Sequence, residues 1–186
     1  MTRIVAGTVG GRVLQVPRAG TRPTSERVRE ALFSRLEHLD VVDGARVLDL
    51  YAGSGALGIE AASRGAAHVT LVESARDAAD VCRRNVTTLG LAATTVQVVA
   101  EKAERFAARP AVAPWDLVLI DPPYDLPEND LAGVLTGIGH ALTDHGVVVV
   151  ERASRTPEPT WPPTLVRLDR RAYGDTVMWF AELAGS

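Results

Sequence analysis

The sequence predicts an α/β fold built on a mostly parallel β-sheet. From residue 45 onwards, short apolar runs of strand length alternate with segments whose apolar residues recur at helical spacing. A glycine-rich turn follows the first of these strands, as is usual where a ligand binds at the carboxyl ends of parallel strands. The last two strands, near 165–168 and 177–183, leave no room for a helix between them, so an antiparallel hairpin is expected there.

The chain before residue 40 predicts a β-hairpin followed by a helix. Two apolar runs, 4–7 and 13–16, flank Gly10-Gly11, which is a strong tight-turn signal. The helix begins after Thr24 or Ser25, either of which can cap it. Its apolar stripe comprises Val28, Ala31, Leu32, Leu36 and Leu39.

The elements after residue 45 follow one another in a regular order. Strands are predicted at 46–51, 68–73, 95–100, 116–121 and 146–151, before the two C-terminal strands. Helices are predicted at about 56–64, 75–89, 102–109 and 131–142. This alternation indicates parallel strands with helices covering the sheet.

Composition indicates a globular protein with one full core. The chain has 186 residues, of which 46% are hydrophobic, and no apolar run long enough to span a bilayer. The N-terminus lacks the apolar core of a signal peptide, so a cytoplasmic protein is expected. A monomer is also expected. Cys82 is the single cysteine and the four histidines are scattered, so neither a disulfide nor a metal site is expected. Cys82 falls within a helix pattern and is interpreted as a packing residue.

Charge is unevenly distributed along the chain. The net charge is −3, but residues 1–39 hold seven arginines against three glutamates, whereas the other 147 residues hold 13 basic and 20 acidic groups. Such asymmetry is typical of a localised phosphate-binding surface on an otherwise acidic enzyme. Residues 1–39 are therefore predicted to be a basic extension, and residues 40–186 to be the main domain.

The first candidate site is the glycine-rich turn after the strand that contains Asp49. Gly53 and Gly55 allow the backbone to turn sharply and to approach a ligand without a Cβ atom in the way. Gly58 completes a Gly-x-Gly-x-x-Gly pattern, and Glu73 ends the following strand, where its carboxylate can accept both hydroxyls of a ribose. The turn therefore predicts an adenosyl or a dinucleotide cofactor, without deciding between them.

The second candidate site is the sequence Asp121-Pro122-Pro123-Tyr124, which follows a buried strand. Two prolines stop a sheet and hold the chain extended, so carbonyl groups are left without a partner in a ladder or a helix. A carboxylate, free carbonyls and an aromatic face together suit a planar base that carries an amino group. The acceptors take the amino hydrogens while the ring stacks on the base.

This second motif favours methyl transfer to an amine. An exocyclic amine delocalises its lone pair into the ring, and hydrogen bonds from its N–H groups to Asp121 and the Pro122 carbonyl would free that pair for attack. The sulfonium of S-adenosylmethionine is an activated methyl donor that requires neither a metal nor a nucleophilic cysteine. A nicotinamide-dependent oxidoreductase would fit the glycine turn but would leave Asp121–Tyr124 without a role.

These motifs resemble those of the RsmD-type guanine-N2 methyltransferases, which act on 16S ribosomal RNA of the small ribosomal subunit. The resemblance covers nearly the whole chain and rests on Arg3–Gly7 with Gly10-Gly11-Arg12, on Thr21–Phe33, on Asp49–Gly58, on Asn85 and on Asp121–Tyr124. It implies the Rossmann-like methyltransferase fold, with a seven-stranded sheet whose last strand is antiparallel, and S-adenosylmethionine as cofactor. It also implies a role in rRNA processing, with 16S rRNA or a small-subunit assembly intermediate as partner.

The resemblance further implies roles for individual residues. Cofactor binding is implied for Asp49, Gly53, Ser54, Gly55, Glu73 and Ala103. Catalytic roles are implied for Asp121, Pro122, Pro123 and Tyr124, where Asp121 and Pro122 would hold the target amine and Tyr124 would stack on the guanine. RNA binding is implied for Arg3, Arg12, Arg22 and Arg27. Glu101-Lys102-Ala103 departs from the family pattern, because lysine stands where an acceptor for the adenine amino group is usual. Adenine recognition is therefore expected from backbone groups near Ala103, or from Glu101 in a shifted register.

Other functions remain open at this point. The substrates of DNA adenine-N6 methylation and of glutamine-amide methylation also present a flat amine or amide group to this motif. A DNA enzyme, however, usually carries a target-recognition insertion, for which this chain has no room. A non-catalytic RNA-binding module would fit the arginines but not the intact cofactor turn. For the rRNA enzyme, removal of residues 1–17 is expected to weaken RNA binding and to leave cofactor affinity nearly intact.

Overall fold

The computed structural model describes residues 2–17 and 24–185. In those ranges the chain forms a two-stranded hairpin, a seven-stranded sheet and five helices. The strands are β1 (Thr2–Arg3), β2 (Val13–Leu14), β3 (Arg46–Leu50), β4 (His68–Val72), β5 (Val96–Val99), β6 (Trp115–Ile120), β7 (Leu142–Ala153), β8 (Leu165–Tyr173) and β9 (Thr176–Leu183). The helices are α1 (Glu26–His38), α2 (Ala56–Ser63), α3 (Arg76–Thr88), α4 (Ala103–Ala107) and α5 (Glu128–Gly139). Within these described ranges, no helix combines the length and the apolar character needed to cross a membrane.

The large sheet has the strand order β5-β4-β3-β6-β7-β9-β8. Strands β3 to β7 run parallel to one another, whereas β9 is antiparallel to both β7 and β8. The predicted mostly parallel sheet with an antiparallel C-terminal pair is therefore confirmed. The strand order changes direction between β3 and β6, which are neighbours in the sheet but distant in sequence. Ligands bind in the crevice at such a switch point.

Alternate residues of the central strands face two separate hydrophobic cores. On one face, Val47 and Leu119 pack with residues of α1, α2 and α3. On the other face, Leu48 and Ile120 pack with residues of α4 and α5. Cys82 of α3 is fully buried in the first core, so its interpretation as a packing residue is confirmed.

The N-terminal hairpin has shorter strands than the sequence pattern predicts. The chain leaves β1 early because the N–H groups of Val5 and Ala6 donate to the buried carboxylate of Glu60 on α2, with N···O distances of 2.7 and 3.0 Å. Ile4 and Leu14 join the same hydrophobic core as α1 and α2. The hairpin is thus continuous with the core of the main domain, and the RNA-binding role of the N-terminal extension stays a prediction.

Several elements differ in length from their predicted bounds. Helix α5 begins at Glu128, three residues earlier than predicted, with two acidic residues in the first turn that favour a helix N-terminus. Strand β8 continues to Tyr173, five residues further than predicted, because pairing with β9 holds an arginine-rich segment that has no apolar pattern. Ser25 caps α1, since its hydroxyl accepts the N–H of Val28 at 3.3 Å.

Candidate active site

The glycine-rich turn joins β3 to α2 and lies over Asp49. Gly53 and Gly55 have φ angles of 58° and 81°, which residues with a Cβ atom rarely adopt. The N–H of Gly58 donates to Oδ2 of Asp49 at 2.8 Å. A Cβ atom at Gly58 would lie 2.2 Å from Cδ2 of Leu71 on β4, so any larger residue would force the buried Leu71 side chain or α2 to shift.

Glu73 follows β4 and borders the same turn. Its Oε2 accepts the N–H of Gly53 at 2.9 Å, and its Oε1 accepts the N–H of Ala75 at 2.7 Å. A carboxylate oxygen has two acceptor positions, so one remains on each oxygen. The carboxylate is therefore fixed by the backbone and can still accept the hydroxyls of a ribose. Asp49, the turn and Glu73 are called the cofactor half of the site below.

A cleft of about 320 Å³ opens at the carboxyl ends of β3 and β6. The predicted site residues that line it are Asp49, Gly53, Ser54, Glu73, Asp121 and Pro123. The structure therefore brings the glycine turn and the start of the Asp121–Tyr124 motif to one cavity. Gly55 does not line the cleft among the described residues; it is the residue immediately before α2 and completes the turn.

The turn at Glu101-Lys102-Ala103 lies beside the cofactor half. The N–H of Glu101 donates to the carbonyl of Glu73 at 3.1 Å, and the Glu101 carboxylate pairs with Arg105 and Arg109. Ala103 is buried against the second core and does not line the cleft formed by the described residues. A role for Ala103 or Glu101 in adenine recognition stays a prediction that the lining of the cleft does not support.

Asp121-Pro122-Pro123-Tyr124 leaves the end of β6 at the edge of the cleft. The carbonyl of Pro123 accepts the N–H of Leu126 at 3.0 Å, whereas the Pro122 carbonyl accepts no hydrogen bond from the described residues. Tyr124 is 65% exposed, so its ring is free to stack on a base. Pro122 and Tyr124 line a small hollow that adjoins the cleft at Asp121.

Glu151 is a site residue that the sequence interpretation missed. It lies on β7 beside Asp121, because Ile120 of β6 is in register with Val150 of β7. It lines the same small hollow as Tyr124, and its Oε2 accepts the hydroxyl of Thr24 at 2.8 Å. The signal that could have identified Glu151 is a run of four valines followed by an acid, which is the same pattern of a buried strand ending in a carboxylate that identified Asp121. Asp121–Tyr124 together with Glu151 are called the target half of the site below.

Burial raises the pKa of Asp49 in the cofactor half and the pKa values of both acids in the target half. Burial raises the pKa of Asp49 to about 7, the N–H of Gly58 opposes the rise, and the neighbouring carboxylate of Glu73 adds to it. Because burial disfavours a negative charge that no cation offsets, this part of the cleft favours a positively charged ligand.

The two acids of the target half disfavour each other's ionisation. Burial raises the pKa of Asp121 well above its ordinary value, and the carboxylates of Glu151 and Asp49 raise it further. Burial also raises the pKa of Glu151, although the hydroxyl of Thr24 opposes that rise. A ligand that donates hydrogen bonds to both carboxylates would relieve this repulsion.

Asn85 connects the N-terminal segment to the glycine turn. Its Oδ1 accepts the N–H of Gln15, and its Nδ2 donates to the carbonyls of Gln15 and Ser54, all at 2.9 Å. Val16 and Pro17 follow Gln15 and line the cleft. The segment after β2 therefore forms part of the cofactor cleft, which the sequence pattern did not indicate.

Three of the arginines predicted to bind RNA are exposed in the described part of the chain. These are Arg3, Arg12 and Arg27, whereas Arg22 lies outside the described residues. Arg3 pairs with Glu26 at 3.0 Å, and Nη2 of Arg12 donates to the carbonyl of Thr88 at 3.2 Å. Their contact with RNA stays a prediction.

The residues of the cleft fit S-adenosylmethionine. The backbone-fixed carboxylate of Glu73 suits the ribose, and the glycine turn leaves space for close approach of the cofactor. Asp49 supplies a buried negative charge that a sulfonium or an ammonium group would offset. When bound, this cofactor supplies a methyl group that its sulfonium already activates.

Comparison with known proteins identifies the family. Residues 2–182 match the family model described as "Conserved hypothetical protein 95". Ribosomal RNA small subunit methyltransferase D of Escherichia coli K12 is 40% identical over 163 residues, which cover 86% of this chain and 79% of that protein. The protein of the same name from Haemophilus influenzae is 34% identical over 157 residues, which cover 83% and 80%.

The fold comparison agrees with the sequence comparison. The solved structure of a hypothetical protein from Thermus thermophilus has a TM-score of 0.84 and 32% identity to this chain, covering 98% of this chain and 100% of that one. The resemblance to RsmD-type proteins is thus confirmed by a family match and by relatives that span most of the chain. The chain belongs to the Conserved hypothetical protein 95 family and is an S-adenosylmethionine-dependent methyltransferase.

Proposed function

We propose that this protein transfers the methyl group of S-adenosylmethionine to the exocyclic N2 amine of a guanine in 16S ribosomal RNA. The observation that carries the proposal is the target half of the site, where two carboxylates and a free carbonyl meet at the edge of the cofactor cleft. The names of the relatives from E. coli and H. influenzae support ribosomal RNA as the substrate class.

The chemistry at the amine requires acceptors in fixed positions. One N–H of the amine donates to the carboxylate of Asp121 and the other to the carbonyl of Pro122, which has no partner among the described residues. These bonds turn the nitrogen lone pair away from the ring and towards the methyl group in the cleft. Because the pKa of Asp121 is raised, its carboxylate is also suited to receive the proton that the methylated nitrogen releases.

The paired acids favour guanine over adenine as the target. The Watson–Crick edge of guanine presents three hydrogens, one on N1 and two on N2, whereas adenine N1 is an acceptor. Asp121 and Glu151 lie side by side, so one can accept from N2 and the other from N1. Adenine N1 would face the lone pairs of a carboxylate, and this counts against the DNA adenine-N6 alternative.

The exposed ring of Tyr124 gives the target base a surface on which to stack. A guanine must leave its helical stack to reach this position, which costs a few kcal/mol unless the base is already unpaired. An unpaired loop guanine is therefore the proposed substrate. The arginine-rich residues 1–39 are proposed to hold the surrounding RNA through its phosphates, with residues 40–186 as the methyltransferase domain.

The test is to identify the methylated nucleoside. Small ribosomal subunits and free 16S rRNA from cells that lack this gene are incubated with the protein and methyl-labelled S-adenosylmethionine, then digested and analysed by mass spectrometry. The proposal predicts N2-methylguanosine with the wild type and with Asp125→Ala, whose carboxylate is exposed nearby, and none with Asp121→Ala. Label in N6-methyladenosine or in protein would overturn it.

A further inference from the structure

A buried cation lies in the cofactor cleft without an anionic partner. Arg29 of α1 is 1% exposed, yet it lines the cleft together with Asp49, Glu73 and Asp121. The sequence pattern did not indicate this role, because Arg29 falls largely off the apolar stripe of the predicted helix and arginine usually faces solvent.

The neighbours of Arg29 compensate its charge only in part. Nη1 donates to the carbonyl of Thr24 at 2.8 Å, Nη2 donates to the carbonyl of Arg3, and Nε has no partner among the described residues. Burial lowers the pKa of Arg29, and the carboxylates of Glu60 and Glu26 oppose that fall. Among the described residues, however, neither acid forms a salt bridge with Arg29, because Glu60 pairs with Arg64 and Glu26 pairs with Arg3. Two neutral carbonyls do not offset a full charge, and an uncompensated buried cation is costly.

The other charges of the cleft are negative. Asp49, Glu73 and Asp121 line it, and Arg29 is its one basic residue among the described lining residues. S-adenosylmethionine carries two positive groups, the sulfonium and the ammonium, and one negative group, the carboxylate of its methionine part. A cavity with one cation among several acids therefore has a single favourable place for that carboxylate.

We propose that Arg29 binds the carboxylate of the methionine part of S-adenosylmethionine. The guanidinium retains the Nε–H and further hydrogens on both Nη atoms for a carboxylate, which suits a charge-assisted contact. The carboxylate then lies towards α1, and the sulfonium lies towards Asp49. Since Arg29 also holds the carbonyl of Arg3, the bound cofactor is linked to the N-terminal hairpin through one side chain. This inference rests on the proposed function only for the identity of the cofactor.

The test uses a ligand that lacks the carboxylate and needs no RNA. Binding of S-adenosylmethionine and of decarboxylated S-adenosylmethionine is measured by calorimetry for the wild type, Arg29→Met and Arg29→Lys. Arg29→Met is expected to lower the affinity for S-adenosylmethionine roughly tenfold or more, as for loss of a charge-assisted contact, without lowering the affinity for the decarboxylated ligand. Arg29→Lys, which keeps the charge, is expected to restore part of the loss.

Arg155→Met is the control, because Arg155 is an exposed arginine that does not line the cleft and should change neither affinity. An equal loss for both ligands in Arg29→Met would mean that Arg29 only holds the fold, and would overturn the inference. If Arg29→Met does not fold, the comparison of Arg29→Lys with the wild type decides in the same way. A wild type that binds neither ligand would contradict the cofactor assignment itself, whereas a selective effect on the decarboxylated ligand would contradict only the role of Arg29.

Discussion

The two halves of the site are held in opposite ways. In the cofactor half, backbone N–H groups donate to the acids: Gly58 to Asp49, and Gly53 and Ala75 to Glu73. These carboxylates are in position before any ligand arrives. Such preorganisation lowers the cost of binding a ligand that is the same in every catalytic cycle.

In the target half, no backbone N–H of the described residues donates to either carboxylate, and the hydroxyl of Thr24 is the one described donor to Glu151. Asp121 and Glu151 repel each other's charge, the Pro122 carbonyl accepts no bond from the described residues, and Tyr124 is exposed. These groups can be satisfied only by a ligand that brings donors and a flat face. The difference indicates that cofactor affinity and methyl transfer are separable by mutation, and the following predictions test that separation.

The largest expected effect is that of Asp121→Ala on catalysis. Methyl transfer should fall by about 10³-fold, because one of the two acceptors that hold the amine is lost. The dissociation constant of S-adenosylmethionine should stay within about threefold, because the carboxylates of the cofactor half remain fixed by the backbone. Single-turnover rates and calorimetry on the same preparations measure both quantities.

Asp125→Ala, in the same loop, is the control and should leave the rate near that of the wild type. A large loss of cofactor affinity in Asp121→Ala would mean that the halves are not separable.

Gly58→Ala should damage the cofactor half and the fold together. The added methyl group would lie 2.2 Å from Leu71 and would push α2 away from Asp49, so the free energy of unfolding should fall by about 2–3 kcal/mol. Urea unfolding measures this loss. Gly133→Ala on α5 is the control, since nothing lies within 4 Å of its added Cβ, and alanine there should be neutral or stabilising. Equal stability of the two variants would contradict the close approach of α2 to the sheet.

Cofactor affinity should depend on pH through Asp49. Because its pKa in the free protein is about 7, binding of the cationic cofactor below pH 7 must displace a proton, and affinity should fall by up to about tenfold per pH unit. Calorimetry from pH 5.5 to 8.5, in buffers of different ionisation enthalpy, measures the affinity and the proton release. A flat profile would contradict the burial of Asp49 beneath the cofactor.

The same raised pKa has an opposite consequence for the stability of the free protein. A carboxyl group whose pKa is higher when folded stabilises the protein below its unfolded pKa near 3.8, and that contribution is lost as the pH rises through about 7. Asp49→Asn should therefore raise the melting temperature at pH 8 by several degrees while it weakens cofactor binding. Asp125→Asn, an exposed acid, should change neither. A lower melting temperature for Asp49→Asn would show that the hydrogen bond to Gly58 outweighs the cost of burial.

The smallest expected effect is that of Tyr124→Ala on RNA binding. Loss of one stacked base should raise the Michaelis constant for RNA by roughly tenfold, while Tyr124→Phe should remain near the wild type because the ring is kept. Steady-state kinetics with RNA varied measures this. If Tyr124→Phe were as impaired as Tyr124→Ala, the hydroxyl would be essential, and this would contradict a role in stacking alone.

The main outlines of the fold and the site could be predicted from the sequence because they depend on local pattern. The strand before Asp121 is a run of apolar residues, and the glycines at 53 and 55 mark a turn whose φ angles are indeed positive. Since parallel strands end at one edge of the sheet, two motifs far apart in sequence could be expected at one cleft.

The rest depends on tertiary contacts that a local pattern does not contain. Residues after β1 look like a strand but bend onto α2, because Glu60 takes their N–H groups. Asn85 holds the segment at Gln15 against the turn, so Val16 and Pro17 line the cleft. Deletion of residues 1–17 should therefore weaken cofactor binding as well as RNA binding, contrary to the expectation from charge distribution alone.

A crystal structure with S-adenosylhomocysteine and an RNA fragment that contains the mapped guanine tests the separation of the two halves most directly. The guanine N2 should lie within hydrogen-bond distance of both Asp121 and the Pro122 carbonyl, with Tyr124 against the base and the thioether sulfur of the ligand on the opposite side of the amine. A guanine seated away from Asp121, or a sulfur atom too distant for a methyl group to pass between them, would contradict the proposed site.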